Sequence, residues 1–112
     1  MKNTIVYIKE VFGPDLNITG MPKVKVNALP FYMVNEYHFW EGSLIDRNIV
    51  FAEKITAEHF TPGQYKKQLE LLECHFNNPV VFVLHDIEAY KRNRLIQKRI
   101  NFVVANKQVF IP

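Results

Sequence analysis

The sequence predicts a single α/β domain in which helices pack on the faces of a mixed β-sheet. One observation is the uninterrupted apolar run Val80–Leu84, which is typical of a strand buried on both faces. A second is that a helical segment, about Ile87 to Arg99, and a further apolar segment, Phe102–Ala105, follow this run. A strand, a helix of about a dozen residues and a second strand favour a right-handed parallel crossover. The third is the helix signal that begins at Thr61.

Length and composition limit the class of protein. The chain has 112 residues, of which 48% are hydrophobic and 22% are charged, as in a globular domain that buries one core. No run approaches the roughly 18 apolar residues of a membrane span. Lys9 and Glu10 leave no room for the apolar core of a signal peptide. The single cysteine, Cys74, excludes an intramolecular disulfide and favours a reducing compartment. We therefore expect a soluble, cytoplasmic protein whose residues 1–112 form one domain.

The N-terminal segment predicts one helix and one strand. Thr4–Phe12 places apolar residues at helical spacing and ends before a Gly–Pro pair, although its first residues also alternate as a strand would. A loop rich in helix breakers follows, with a short extended piece at Leu16–Ile18. Lys23–Asn27 alternates valine with lysine or asparagine, which predicts a half-exposed strand.

The middle of the chain predicts a β-hairpin. Leu29–Val34 is either a helical turn begun by Pro30 or an irregular apolar connection. Tyr37–Glu41 and Asn48–Glu53 are rich in aromatic and β-branched residues, so we expect two strands joined by a loop over Gly42–Arg47.

The helix after the hairpin has the strongest sequence signals. Thr61 is a favourable N-cap, Pro62 fits the first helical position, and Gln64 completes a T-x-x-Q capping box. Asn77 begins the segment that ends the helix. One apolar stripe follows its length and consists of Tyr65, Leu69, Leu72 and Phe76.

The C-terminal segment completes the predicted fold. We expect Asp86 to cap the helix at about 87–99, and Asn106 with Lys107 to turn the chain into a short strand, Val109–Ile111. The predicted order is helix, strand, hairpin, helix, strand, helix, strand and short terminal strand. This order also matches the core of restriction-endonuclease-like folds.

The basic helix is the main candidate for a binding site. Residues 1–85 have a charge balance of −1, whereas residues 86–112 have a balance of +4. Nucleic-acid phosphate would suit this charge, but cations near a helix C-terminus are also ordinary solvated residues stabilised by the helix dipole. A protein partner is the third alternative. Ile87, Leu95 and Ile96 are expected to face the sheet. The candidate nucleic-acid-binding residues are Lys91, Arg92, Arg94, Lys98 and Arg99.

No intact catalytic motif is present in the sequence. A nuclease of this strand order needs a carboxylate on one strand and Asp/Glu-x-Lys on the next, because its Mg²⁺ ions need converging oxygen ligands. Here Glu53 and Lys54 are adjacent, so they should point to opposite faces, and only Glu41 or Asp46 could add a ligand. We predict no catalytic residue, no metal site and no cofactor.

Histidine and cysteine spacing gives no metal or nucleophile motif either. Cys74 and His75 are neighbours on a helix and point about 100° apart, so they do not form a dyad. His38, His59 and His85 are scattered along the chain and match no metal-ligand spacing.

An aromatic run in the first hairpin strand gives a further candidate surface. Tyr37 and Phe39 should share one face, and His38 and Trp40 the other. One face must be core. The other is either buried beneath a helix or exposed as a platform for bases or for a partner.

Short residue clusters from Leu29 onward match a pattern seen in one group of bacterial proteins. They are Leu29-Pro30-Phe31-Tyr32, Pro79–Leu84, Tyr90, Arg94–Ile96, Lys98–Phe102 and Gln108–Pro112. Over about three quarters of its length, the chain thus resembles MarR-type, winged-helix transcriptional regulators.

The resemblance implies a setting rather than a mechanism. In those proteins the α/β region precedes a helix-turn-helix region that would bind DNA, and the residues of this chain after the basic helix are predicted strands. The leading interpretation is an excised N-terminal, non-enzymatic accessory domain of a bacterial transcription regulator. The alternatives are a nucleic-acid-binding module that uses the helix at 87–99 and a catalytically silent nuclease-like domain. The expected partners are DNA, bound outside this chain or through the basic helix, and a second copy in a homodimer.

Overall fold

A computed structural model describes residues 2–44, 46–105 and 107–110. Parts of three predictions lie outside these residues, namely Ile45 in the hairpin loop, Asn106 in the last turn, and Ile111 with Pro112 at the end of the terminal strand. In chain order the elements are α1 (Lys2–Phe12), β1 (Asn17–Gly20), α2 (Lys23–Val26), α3 (Phe31–Glu36), β2 (Tyr37–Leu44), β3 (Arg47–Lys54), α4 (Pro62–Phe76), β4 (Val80–Leu84), α5 (Ala89–Gln97), β5 (Phe102–Val104) and β6 (Gln108–Phe110).

All six described strands belong to one mixed sheet, in which they are ordered as in the chain. The first three strands pair antiparallel, β3, β4 and β5 pair parallel, and β6 returns antiparallel to β5. The predicted α/β class, the hairpin and the parallel strand–helix–strand unit are therefore confirmed. All five residues of β4 are buried because the strand is central and covered on both faces.

Two apolar layers enclose the sheet. On one face, α1 contributes Ile8 to a cluster with Phe51, Val81, Val83 and Val103. On the other face, α3, α4 and α5 pack residues such as Met33, Leu69 and Leu95 over the remaining strand positions. The predicted inward positions of α5 are confirmed, since Ile87 and Leu95 are buried and Ile96 packs partly against the core. We call the side of the sheet that α1 covers the α1 face, and the side that α3, α4 and α5 cover the α4 face.

The helix signals at α1 and α4 predict the structure well. The helix over Thr4–Phe12 is confirmed. Thr61 and Gln64 make both bonds of the capping box, and Asn77 ends α4 in the left-handed region with φ 54°. Pro30 precedes the short helix α3, so the helical alternative for that segment is correct.

The predicted strand over Lys23–Asn27 is wrong, because these residues form the four-residue helix α2 after Pro22. Val24 is 78% exposed while Val26 packs on the core, so the two valines do not share a buried strand face. The first strand lies earlier, over Asn17–Gly20, and includes part of the predicted extended piece.

The hairpin is longer than its predicted strands. Pairing runs from Tyr37 opposite Lys54 to Leu44 opposite Arg47, so Gly42 lies inside β2 rather than in a loop. A Cβ atom at Gly42 would lie 2.5 Å from Cε2 of Phe51. Glycine at this position therefore allows an aromatic ring to approach the backbone closely.

Helix α5 is shorter than predicted at both ends. Asp86 does not cap it, because Asp86 adopts φ 50° and Ile87 first turns into the core, so that Glu88 becomes the N-cap. At the other end Arg99 adopts φ 57°, and the amide of Ile100 donates to the carbonyl of Leu95 at 3.1 Å. This left-handed termination brings Ile100 into the core and ends the helix at Gln97.

Candidate functional site at the carboxyl ends of the central strands

Polar side chains gather where the parallel strands β3 and β4 end. Strand β3 ends in Glu53 and Lys54, and His85 follows β4 directly. Because parallel neighbours end at the same edge of the sheet, these residues come together there. A groove of about 270 Å³ lies at this edge, and its polar walls include Lys54, Thr56, His59 and His85.

On the α1 face, Glu53 is the centre of the first polar group, which we call the Glu53 cluster (Trp40, Glu53 and His85). The indole Nε1 of Trp40 donates to one carboxylate oxygen of Glu53 at 3.1 Å. The other oxygen lies 3.3 Å from Nε2 of His85. Glu53 is buried, whereas the His85 side chain is 45% exposed. The cluster therefore holds a buried carboxylate beneath an accessible imidazole.

On the α4 face, Lys54 is the centre of the second group, which we call the Lys54 cluster (Glu36, Lys54 and Thr56). The ammonium of Lys54 is buried and donates to Oε2 of Glu36 at 2.8 Å and to the hydroxyl of Thr56. It also lies 5.0 Å from the centre of the Phe60 ring. The hydrogen bond from Lys54 has the largest effect on the pKa of the Glu36 carboxyl, and the hydrogen bond from Thr56 has the next largest. Both lower this pKa below its ordinary value.

His59 connects the loop after β3 to the loop after β4. Its Nε2 lies 2.8 Å from the backbone carbonyl of His85, and its Nδ1 lies 3.0 Å from the hydroxyl of Tyr65. A carbonyl can only accept, so Nε2 carries a proton and donates. Tyr65 is fully buried, and its burial raises the pKa of its hydroxyl well above the ordinary range. His59 thereby fixes both loops at the edge of the sheet.

The expectation that Glu53 and Lys54 point to opposite faces is confirmed by their separate partners. The carboxylates proposed as additional ligands are also distant in register. Glu41 pairs with Val50, shares that residue's α4 face, and accepts from Lys25 at 2.5 Å. Asp46 lies in the turn before β3, at the opposite end of the strand, roughly 20 Å along the chain direction from Glu53. Among the described residues, no three His, Cys, Asp or Glu side chains are placed to hold a metal ion.

The five predicted nucleic-acid-binding residues differ in how far they are accessible to solvent. Arg94 is exposed and lies 5.6 Å above the ring of Tyr90, and Lys98 and Arg99 are exposed beyond the helix end. Lys91 is half-buried and lies 4.0 Å from the carboxylate of Glu88.

Arg92 is held by the rest of the fold. Its Nε donates to the side-chain oxygen of Gln108 in β6 at 3.0 Å, and its Nη1 donates to the carbonyl of Ile87 at 2.9 Å. A guanidinium occupied in this way joins α5 to the last strand, and only part of it remains for a phosphate. Because Arg92 is occupied, the accessible cationic surface of α5 is smaller than the sequence suggests. We call Tyr90, Arg94, Lys98 and Arg99 the α5 surface.

The neighbouring pair at the end of α4 does not act together. Cys74 is exposed, while Nε2 of His75 lies 3.1 Å from the backbone carbonyl of Lys25. His75 therefore fastens α4 to α2.

Sequence reasoning identified Glu53, Lys54 and His85 one at a time but missed their assembly. The available signal was that two parallel strands in sequence order end in Glu53-Lys54 and in His85, which places these residues at one edge. The strand pairing also gave a signal for Trp40. His38 lies directly opposite Glu53 in the hairpin, and Trp40, two residues further along β2, lies on the same face of the strand as His38. Glu36 and Thr56 gave no comparable signal, since both lie in segments whose path depends on tertiary packing.

Comparison with known proteins gives no assignment, because no family model, no curated protein and no solved structure matches the chain. Within the described residues, no helix is long and apolar enough to cross a membrane.

Proposed function

We propose that this chain is a non-enzymatic accessory domain of a bacterial transcription regulator, with a nuclease-like strand order that supports nucleic-acid contact rather than cleavage. The observation that carries the non-enzymatic part of the proposal is the separation of Glu53 and Lys54 onto opposite faces of the sheet. Metal-assisted hydrolysis of a phosphodiester needs carboxylate ligands and a cation that converge on one phosphate. Here both groups are engaged with structural partners on two sides of a strand.

Two further points support this proposal. Three antiparallel strands, with the short helices α2 and α3 between the first two, then α4 and a parallel fourth strand follow α1, an order compatible with a restriction-endonuclease-like core. The resemblance to MarR-type regulators supplies the regulatory setting. Its residues include Pro79–Leu84, which contains the central strand, and Arg94–Ile96, which forms part of α5.

A cleavage assay tests the non-enzymatic part. Labelled duplex and single-stranded DNA and RNA are incubated with the purified protein and Mg²⁺ or Mn²⁺, with a chelator as the control. We expect intact substrate in every reaction. Metal-dependent cleavage that Glu53→Gln abolishes would overturn the proposal.

The regulatory setting has a separate test in the gene. A winged-helix pattern in the reading frame downstream of the codon for Pro112 supports it, and a stop codon at that point counts against it.

Direct nucleic-acid contact through the α5 surface is a second candidate, favoured by the exposed Arg94–Tyr90 pair and the exposed Lys98 and Arg99. Binding of labelled duplex and single strands is measured by fluorescence anisotropy at two salt concentrations. We expect the double variant Arg94→Glu, Arg99→Glu to bind more weakly. The slope of the logarithm of the binding constant against the logarithm of the salt concentration should become shallower by about one for each phosphate that is no longer neutralised. Lys23→Glu with Lys67→Glu, at exposed positions elsewhere, is the charge-matched control. Equal binding by the two double variants would remove this candidate.

A further inference from the structure

The exposed side of the β2 aromatic run carries a pair of stacked rings. His38 and Trp40 project from the same side of β2, with ring centres 4.7 Å apart and planes inclined by 17°. His38 is exposed and Trp40 is half-buried against the α1-face core. One face of the imidazole therefore lies on the indole, while His38 as a whole remains exposed to solvent. We call this pair the His38–Trp40 platform.

The platform is held in place by its surroundings. The Trp40 indole donates to Glu53, whose other oxygen lies beside His85. Glu53 is itself buried, and the hydrogen bond that orients the indole is part-buried. His38 lies opposite Glu53 on the neighbouring strand, which sets the distance between the imidazole and this cluster. An aromatic surface fixed in this way loses little side-chain freedom when a flat group stacks on it.

The platform lies near the edge of the sheet at which the parallel strands β3 and β4 end, because His38 pairs with Glu53. Glu53 and His85 mark the carboxyl ends of β3 and β4. Helix α5 begins at the same edge, because only residues 85–88 separate it from β4; Tyr90 lies in its first turn and Arg94 one turn further along. The platform belongs to the α1 face and α5 packs on the α4 face, so a strand of nucleic acid would pass around this edge to reach both.

We propose that the His38–Trp40 platform is a stacking site for an unpaired base of single-stranded nucleic acid. The inference rests on the proposed nucleic-acid contact and identifies the form of nucleic acid that is bound. Every base has a flat π-face, so stacking on aromatic side chains suits a sequence-tolerant site. Paired bases in a duplex are already stacked on each other and cannot reach the platform. A bare phosphate is a poor ligand here because the carboxylate of Glu53 lies 3.1 Å from the indole Nε1.

The chain provides its own probe, because Trp40 is its single tryptophan. Oligothymidine, oligouridine, an abasic strand of equal length and a duplex are titrated at low salt. Trp40 emission reports stacking, and anisotropy of labelled strands reports binding. The proposal expects the two base-containing strands to quench the emission and to bind more tightly than the abasic strand or the duplex. We expect His38→Ala to weaken single-strand binding roughly tenfold, His38→Phe to retain it, and His75→Ala, at an exposed histidine on α4, to leave it unchanged.

The outcomes separate the platform from the broader proposal. Equal binding of abasic and base-containing strands without a change in emission would overturn the platform and leave nucleic-acid contact standing. Unchanged affinity in His38→Ala would also overturn it. Absence of binding at low salt to any strand would overturn the platform and the proposed nucleic-acid contact together. If His38→Ala fails to fold by circular dichroism, His38→Gln, which removes the ring but keeps a polar side chain, takes its place, and unchanged affinity of that variant for oligothymidine would overturn the platform.

Discussion

At the scale of single residues, the end of β3 shows how alternation along a strand separates two charged side chains. Lys54 is 3% exposed, and a buried ammonium is costly unless it is paired and hydrogen-bonded. The Glu36 carboxylate and the Thr56 hydroxyl provide those bonds, and Glu36 in turn has a lowered pKa. The Lys54 cluster therefore contributes stability that depends on the ionised form of Glu36.

Removing that carboxylate should expose the dependence. We expect Glu36→Gln to lower the free energy of unfolding at neutral pH by about 2–3 kcal/mol, because Lys54 remains buried without a charged partner. The folded-state pKa of Glu36 lies below its unfolded value, so its contribution is complete above about pH 4.5 and is lost as the pH falls through the folded pKa. The stability difference between wild type and variant should therefore shrink on acidification. Urea denaturation at a series of pH values measures it.

The matched control for this prediction is Glu70→Gln, which removes an exposed carboxylate from α4. Its stability should follow that of wild type at neutral pH. A difference between wild type and Glu36→Gln that stayed constant from neutral pH to well below pH 4 would contradict the assigned role.

Gly42 gives a second prediction at this scale. A methyl group there would meet the Phe51 ring at 2.5 Å, so we expect Gly42→Ala to destabilise the fold by about 1–3 kcal/mol through overpacking. Gly20→Ala in β1 is the control, because nothing lies within 4 Å of its added Cβ atom. Thermal denaturation of both variants compares them. Equal midpoints would show that the ring moves aside without cost.

At the scale of elements, α4 and α2 mark the limits of prediction from sequence. Thr61, Pro62 and Gln64 determine the start of α4 through local bonds, so the pattern was sufficient. The four residues of α2 have no such local signal, and their helical form depends on neighbours such as Glu41, which binds Lys25. The same reason explains why Asp86 was wrongly assigned as a cap, since the burial of Ile87 decides the path of that loop.

At the same scale, Arg92 joins three parts of the fold, namely α5, β6 and the loop before α5. We expect Arg92→Lys to lower the free energy of unfolding by about 1–2 kcal/mol, since a lysine cannot make both bonds of the guanidinium fork. Arg94→Lys, on the exposed side of the same helix, should change it by less than about 0.5 kcal/mol. Denaturant unfolding of the two variants gives the comparison. Equal losses would mean that Arg92 is not a structural contact.

At the scale of the whole molecule, sequence patterns could not predict which side chains meet at the edge of the sheet. The class, the central strand and the opposite orientation of Glu53 and Lys54 follow from period-two alternation and apolar runs. The meeting of Trp40, Glu53 and His85 requires three strands in a defined order and register, which no single segment encodes. The candidate site is thus a property of the sheet, and its stability should follow that of the central strands.

Hydrogen exchange tests this arrangement across the molecule. Strand β4 is buried and paired on both sides, so we expect amides of Val81 and Val83 to exchange only through global unfolding. Strand β1 pairs on one side with β2 and is mostly exposed, so its amides should exchange by local opening, orders of magnitude faster. The predicted homodimer provides the contrasting outcome. If a second copy pairs with β1, protection there should rise with protein concentration and approach that of β4, and sedimentation should show the larger mass. Slow exchange in β1 that is independent of concentration would contradict the assignment of β1 as an open edge.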